Sequence, residues 1–161
     1  MNIIYRKGIP SDIDEMYKID QECFVETIAY SYETFLEFFD SPRKLFPFIE
    51  VAEWKNKIIG FIIGIQSHKD AFTIITIDIK KEFRGKQIAQ TLLNHLEKFY
   101  NEIGLKYGIL QVSKKNKRAI KFYEKNQYKF IRTLSNYYQT GENGLEYIKK
   151  LSIIKLPILN T

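Results

Sequence analysis

The chain has 161 residues, enough for one domain and hardly for two. Hydrophobic residues make up 45% and charged residues 27%, which excludes disordered and collagen-like classes and leaves a chain able to bury a core. Lysine and arginine (25) exceed aspartate and glutamate (19), and the resulting +6 suits an anionic partner: a phosphorylated cofactor, nucleic acid, an acidic peptide or a membrane surface.

Ile3-Ile4-Tyr5-Arg6 reads as a short first strand, and Pro10-Ser11-Asp12 opens a helix with Ser11 or Asp12 as N-cap and Ile13, Met16, Tyr17 and Ile19 at helical spacing. A second helix is expected from Ser31 to Phe39, with a loop bracketed by Pro42 and Pro47 after it. Phe48 to Trp54 and Ile58 to Gln66 read as strands joined by the hairpin signal Lys55-Asn56-Lys57. Phe72 to Ile79 is the cleanest strand, with Ile75, Ile77 and Ile79 on one face and Ile74, Thr76 and Asp78 on the other. An amphipathic helix follows at once, its stripe running Ile88, Ala89, Leu92, Leu93, Leu96, Phe99, Tyr100 and Ile103, and Gly104 ends it. Tyr107 to Val112 is another strand, Asn116 caps a short helix through Lys125, and two strands near Tyr128 to Leu134 and Leu145 to Leu151 close the pattern. The order is β-α-α-β-β-β-α-β-α-β-β, an α/β (α+β) class; the strand–helix–strand unit from Phe72 to Val112 should be parallel and the surrounding hairpins make the sheet mixed.

Between the clean strand and its helix lies Lys80-Lys81-Glu82-Phe83-Arg84-Gly85-Lys86-Gln87-Ile88-Ala89. A strand turning tightly into a helix leaves several backbone N–H groups aimed at one spot, at the positive end of the helix dipole. Gly85 and Ala89 keep side chains clear, while Arg84 and Lys86 add charge. On these residues alone an ordinary basic connection fits as well as a pyrophosphate site. The turn is neither a P-loop nor a dinucleotide fingerprint, since the required Gly-Lys-Ser/Thr or three spaced glycines are missing.

Arg84-Gly85-Lys86-Gln87-Ile88-Ala89 resembles the R/Q-x-x-G-x-G/A loop of the GNAT superfamily of acyl-CoA-dependent N-acyltransferases. Gly60-Phe61 is similar to the Gly-Phe/Tyr of that family's third strand, and Leu110-Gln111-Val112, Asn116, Ala119-Ile120 and Phe122-Tyr123-Glu124 resemble its Leu-Glu-Val…Asn…Ala-Ile…Leu-Tyr-Glu run. Cys23-Phe24, Tyr30-Ser31, Phe35 and the late Tyr137-Tyr138, with Gly144 and Glu146 after it, are similar to the RimI-like branch, the ribosomal-protein-alanine and archaeal protein N-terminal acetyltransferases. The match spans about residues 3 to 151, so the expectation is a single GNAT domain over 1–152, with a central pair of splayed parallel strands and about four flanking helices, then an apolar tail over 153–161. Four positions depart from the pattern: Gln87 and Gln127 stand in glycine slots, Lys115 where Ser often precedes the Asn, and Gln111 where RimI-like enzymes carry a Glu assigned as base. Gln87 is expected inside the first helical turn, where a side chain is tolerated.

The resemblance implies acetyl transfer from acetyl-CoA to an amine by direct attack in a ternary complex. It implies that the backbone of Ile77, Asp78 and Ile79 holds the pantetheine, that Arg84, Gly85, Lys86, Gln87, Ile88, Ala89 and Gln90 hold the pyrophosphate, and that Asn116 bonds the pantetheine arm. It makes Tyr123 the acid for the departing thiolate and Tyr30, Glu33, Tyr137 and Tyr138 acceptor-binding residues. Periodicity alone makes Tyr123 a core aromatic and Asn116 a helix cap. Gln111 cannot accept a proton, although it can position a water; Glu26 and Glu33 are the nearest alternative carboxylates. An α-amine titrates near about 8 and a lysine near about 10.4, so an α-amine acceptor tolerates a weak base where a lysine does not.

The acceptor implied is therefore a protein N-terminus, a ribosomal protein's included; the alternatives are a small polyamine-type amine or CoA binding without catalysis. Cys23 reads as a buried small hydrophobe and, as the one cysteine, fits a reducing cytoplasm. No apolar run approaches the about 18 residues of a membrane span. His68 and His95 stand apart from any ligand set, so no metal is expected, and His95 falls on the polar, solvated side of its helix. The lysines are scattered, which disfavours nucleic acid, and the chain is expected to be a monomer or homodimer.

Overall fold

The computed structural model describes residues 1–24, 28–40 and 46–152, so Glu26, Pro42 and the tail at 153–161 lie outside the described residues. The elements run β1 (Ile4–Lys7), α1 (Ile13–Cys23), α2 (Tyr32–Asp40), β2 (Phe48–Trp54), β3 (Lys57–His68), β4 (Ala71–Ile79), α3 (Ile88–Glu102), β5 (Tyr107–Ser113), α4 (Lys117–Lys125), β6 (Lys129–Leu134) and β7 (Gly144–Lys150), the order read from hydrophobic periodicity. They form one seven-stranded sheet, β1-β2-β3-β4-β5-β7-β6. Only β4 and β5 are parallel, joined across α3; every other pairing is antiparallel.

Each face of the sheet carries its own core. Ile88, Leu92, Leu93, Leu96 and Tyr100 of α3 pack with Tyr123 of α4 on Ile62, Phe72, Ile74 and Leu110. On the opposite face Ile13, Met16 and Ile19 of α1 and Phe35 of α2 cover Val51, Phe61 and Ile63. The β2–β3 turn is a two-residue loop, Lys55-Asn56, with both residues at positive φ (50° and 60°), which matches the twist of the flanking strands.

Three expectations need correction. The alternation of β4 breaks at Ile75: Ile63 pairs Thr76 and Gly64 pairs Ile74, so Ile75 is an extra residue, and it packs toward α1 and α2 while Ile77 joins the α3 side. Asp12 does sit at the cap position of α1 but makes no cap bond to that helix; its carboxylate accepts from Ile9 N–H and from Arg6 Nη1 and Nη2 instead. His95 is not merely solvated, because its Nδ1 lies 2.9 Å from Glu50 Oε2 and its ring meets Tyr5 edge-on.

Candidate active site

Pairing between β4 and β5 stops at Ile74 and Leu110. Beyond that point the strands part, and Ile75–Ile79 and Gln111–Ser113 become opposite walls of a cavity of about 830 Å³. Two β4 carbonyls face this gap: Ile75 O accepts from the Tyr30 hydroxyl at 3.4 Å, and Ile79 O from Arg84 Nε at 2.9 Å. Strand alternation puts the backbone of Ile77, between them, on the same open edge. An extended chain can therefore pair with β4 where β5 has left it.

At one end of the cavity the connection from β4 becomes helical. A 3₁₀ turn at Lys81–Phe83 leads through Gly85 (φ 74°) and Gln87 (φ 64°) into α3. No side chain caps α3, so the first N–H groups of the helix, beginning at Ile88, are left to face the cavity lined by Gln87, Ile88, Ala89 and Gln90. Gln87 is thus not within the helix: it is the residue before it, in the left-handed conformation that costs a non-glycine residue about 1 kcal/mol. Gln127 is left-handed as well, at φ 69°. Replacing Gln87 by Gly should accordingly raise stability by about 0.5–1 kcal/mol, or about 2–3 °C in a melting scan, without weakening binding of CoA.

Two guanidiniums stand by this turn. Arg84 is tied to Ile79 O and, at 3.4 Å, to Cys23 Sγ. Arg118 of α4 lines the same cavity, and burial together with the charge of Arg84 pulls its pKa below the ordinary arginine value. Lys86, by contrast, is exposed and outside the cavity lining. Cys23 is half-buried rather than buried, lining the cavity with Sγ 3.6 Å from Ile79 O.

Along the walls, Asn116 Oδ1 accepts from Ala119 N–H at 3.1 Å, which makes it the cap of α4, and the residue also lines the cavity. Tyr123 is both things the sequence allowed, a member of the α3-side core and part of the cavity wall. Burial and the negative field of Asp78 push its hydroxyl well above the usual tyrosine range, so it is protonated throughout the neutral region. Gln111 faces the cavity and donates to Glu146 Oε2 at 2.8 Å, while Arg132 holds the other oxygen at 2.8 Å. Burial raises the Glu146 pKa, but these bonds outweigh it and hold the carboxylate below its ordinary value, which makes it a poor proton acceptor.

The far mouth is aromatic. Tyr30, Tyr137 and Tyr138 line it with Phe24 and Ile28. Tyr137 and Tyr138 meet edge-to-face at 5.0 Å, and Tyr30 stands against Phe38 at 5.9 Å. Glu142 also lines the cavity but is engaged by the Ser113 hydroxyl and by Lys115 Nζ at 3.5 Å. Glu33 lies exposed on α2 and outside the lining. Nothing in the sequence set Ser113 apart, and Arg118 was signalled only by its place at the start of the helix that Asn116 caps.

A splayed parallel strand pair, an open β4 edge and an uncapped helix start thus meet in one cavity. Residues 13–128 match the Acetyltransferase (GNAT) family, and the chain belongs to it. It is 32% identical over 160 residues, 99% of each chain, to the uncharacterized N-acetyltransferase MJ1530 of Methanocaldococcus jannaschii, and 28% identical to an N-alpha-acetyltransferase of Saccharolobus solfataricus, covering 86% of this chain and 87% of that one. Its fold is shared with Ard1 of Thermoplasma volcanium, with a TM-score of 0.85 at 22% identity over 94% of this chain and 99% of that one. The chain is an acetyl-CoA-dependent N-acetyltransferase. Among the described residues no helix is long and apolar enough to cross a membrane and no cluster of metal-binding side chains occurs.

Proposed function

We propose that this enzyme acetylates the α-amine of a protein N-terminus, a reading supported by the archaeal relative's name, N-alpha-acetyltransferase. The observation that carries this reading is the single cavity with an anion turn at one end and a tyrosine-lined mouth at the other, crossing the open edge of β4 between them. Acetyl-CoA enters with its pyrophosphate against Gly85 to Gln90 and the two arginines, its pantetheine along Ile77 to Ile79 and its arm near Asn116. The thioester then lies beside Tyr123, and a peptide end-on between Tyr30 and Tyr137-Tyr138 brings its first nitrogen to the acyl carbon. The attack forms the N–C bond and expels the CoA sulfur. A tyrosine titrating above about 10 cannot hand its proton downhill to a thiolate near about 8.5, so Tyr123 acts first as a hydrogen-bond donor to the sulfur as its charge develops.

The aromatic mouth suits the backbone and side chains of a peptide, and Glu142 is already paired with Lys115 and Ser113. A reducing, cytosolic setting fits the lone thiol of Cys23 beside the active site. Incubation with acetyl-CoA and a panel of peptides differing in their first two residues tests the reading by mass spectrometry. Transfer confined to the α-amine is expected; bound CoA with no transfer to any peptide overturns the protein acceptor.

A further inference from the structure

Two carboxyl groups meet beneath the cavity floor. Asp20 projects from α1 and Asp78 from β4, and both are buried, at 0% and 1% exposure. One oxygen of each is accounted for: Asp20 Oδ2 accepts from Tyr30 N–H at 2.8 Å, and Asp78 Oδ1 from the Thr76 hydroxyl at 2.9 Å. The other two, Asp20 Oδ1 and Asp78 Oδ2, have no donor among the described residues. The carboxyls lie within hydrogen-bonding reach of one another, and two buried acceptors facing each other are satisfied by one proton held between them. Asp78 lines the cavity, in the stretch of β4 where the thioester would lie.

We propose that the Asp20–Asp78 pair, sharing one proton, accepts the proton released by the attacking amine. This rests on the proposed transfer to an amine and fills the role for which Gln111 has no chemistry and Glu146 is held too acidic. The pair carries one negative charge while it holds one proton. As the amine nitrogen bonds to the acyl carbon, it gives a proton to Asp78, directly or through one water, and the pair becomes neutral. The C–S bond then breaks, and the pair's second proton reaches the sulfur through the Tyr123 hydroxyl, which takes up that proton as it passes on its own, so no free tyrosinate forms and no net proton is consumed.

Burial raises the pKa of both carboxyls; the charge of Asp20 and its bond raise Asp78 further, while the Tyr30 N–H and the bond to Asp78 oppose the rise at Asp20, and the net upward shift keeps the pair able to take up a proton near neutrality. The groups that face it are Arg84 from the turn, whose charge opposes that rise, Cys23 of α1, Tyr30, and Tyr123 of α4. In the same way the field of Asp78 helps to keep the proton on Tyr123 and on Cys23.

The test is a pH–rate profile for peptide acetylation by the wild type, Asp78→Asn and Asp20→Asn. An asparagine at either position still donates to the remaining carboxylate, so the fold keeps its bond while the remaining carboxyl loses the neighbouring charge that raises its affinity for a proton. Expected is a fall in kcat/KM for peptide of roughly 100-fold, an acetyl-CoA KM changed less than threefold, and displacement of the acidic limb of the profile. Folded variants that keep kcat/KM within threefold and the same acidic limb overturn the proposal. Should either variant fail to fold, carboxyl ¹³C titration of the wild type decides: a buried carboxyl titrating together with the kinetic limb supports it, and none doing so overturns it. A wild type that acetylates no peptide overturns the acceptor reading and this role with it, whereas transfer that survives both substitutions overturns the proton role alone.

Discussion

Replacing Tyr123 by Phe lowers kcat roughly 100-fold and leaves acetyl-CoA affinity within about twofold. The substitution removes one hydroxyl and keeps the ring that packs edge-on against Phe122 and Tyr128, so the core beneath the cavity is undisturbed. The energetic reason for so large an effect is location. A hydroxyl in a buried wall meets a developing thiolate without first shedding water, and that bond is worth most when the sulfur carries full charge, which happens only as the C–S bond breaks. The loss therefore belongs in kcat and not in the binding of acetyl-CoA, and isothermal titration beside steady-state kinetics separates the two. Turnover unchanged in Tyr123→Phe removes the residue from the chemistry.

Gly60→Ala is expected to cost about 2 kcal/mol of stability, or about 4–8 °C in melting temperature. Gly60 lies opposite Ile79 in the β3–β4 ladder. A Cβ there would stand 2.5 Å from Ile79 Cδ1 and 2.8 Å from the carbonyl oxygen of Asp78. The isoleucine methyl can swing away, but the carbonyl is backbone, so β4 must shift. That shift falls on the stretch forming the cavity wall, so the peptide KM should rise along with the fall in stability. A melting temperature within a degree of wild type would show that β4 yields without cost.

Strands and helices were legible in the sequence because nearly every one carries an alternating or helical stripe that a two-faced sheet must bury, as Phe61 and Ile62 do on opposite faces. The turn at 84–90 stood out only through its resemblance to the GNAT loop, because on its residues alone an ordinary basic connection fits as well. Ile75 was not, since a bulge depends on the register of the partner strand and leaves no mark of its own among isoleucines. Gln87 misled because its φ is set by the turn leading into α3, whereas its residue type argues for a helix interior. The Asp20–Asp78 meeting lies 58 positions apart in the chain, and a carboxylate on a helix facing a carboxylate on a strand reads as two surface charges until the fold brings them together.

The place of β7 has a consequence for how the enzyme is born. It lies between β5 and β6, yet it is the last of the described strands to be synthesised. Until it emerges, β5 has a bare edge next to the half-built cavity, Gln111 lacks Glu146 and Tyr147 is missing from the core. A nascent chain stopped before Gly144 therefore exposes two strand edges suited to pairing with other chains, and the final few residues of the sheet do the closing. The Gln111 wall of the cavity is therefore completed late in synthesis, by the insertion of a single strand.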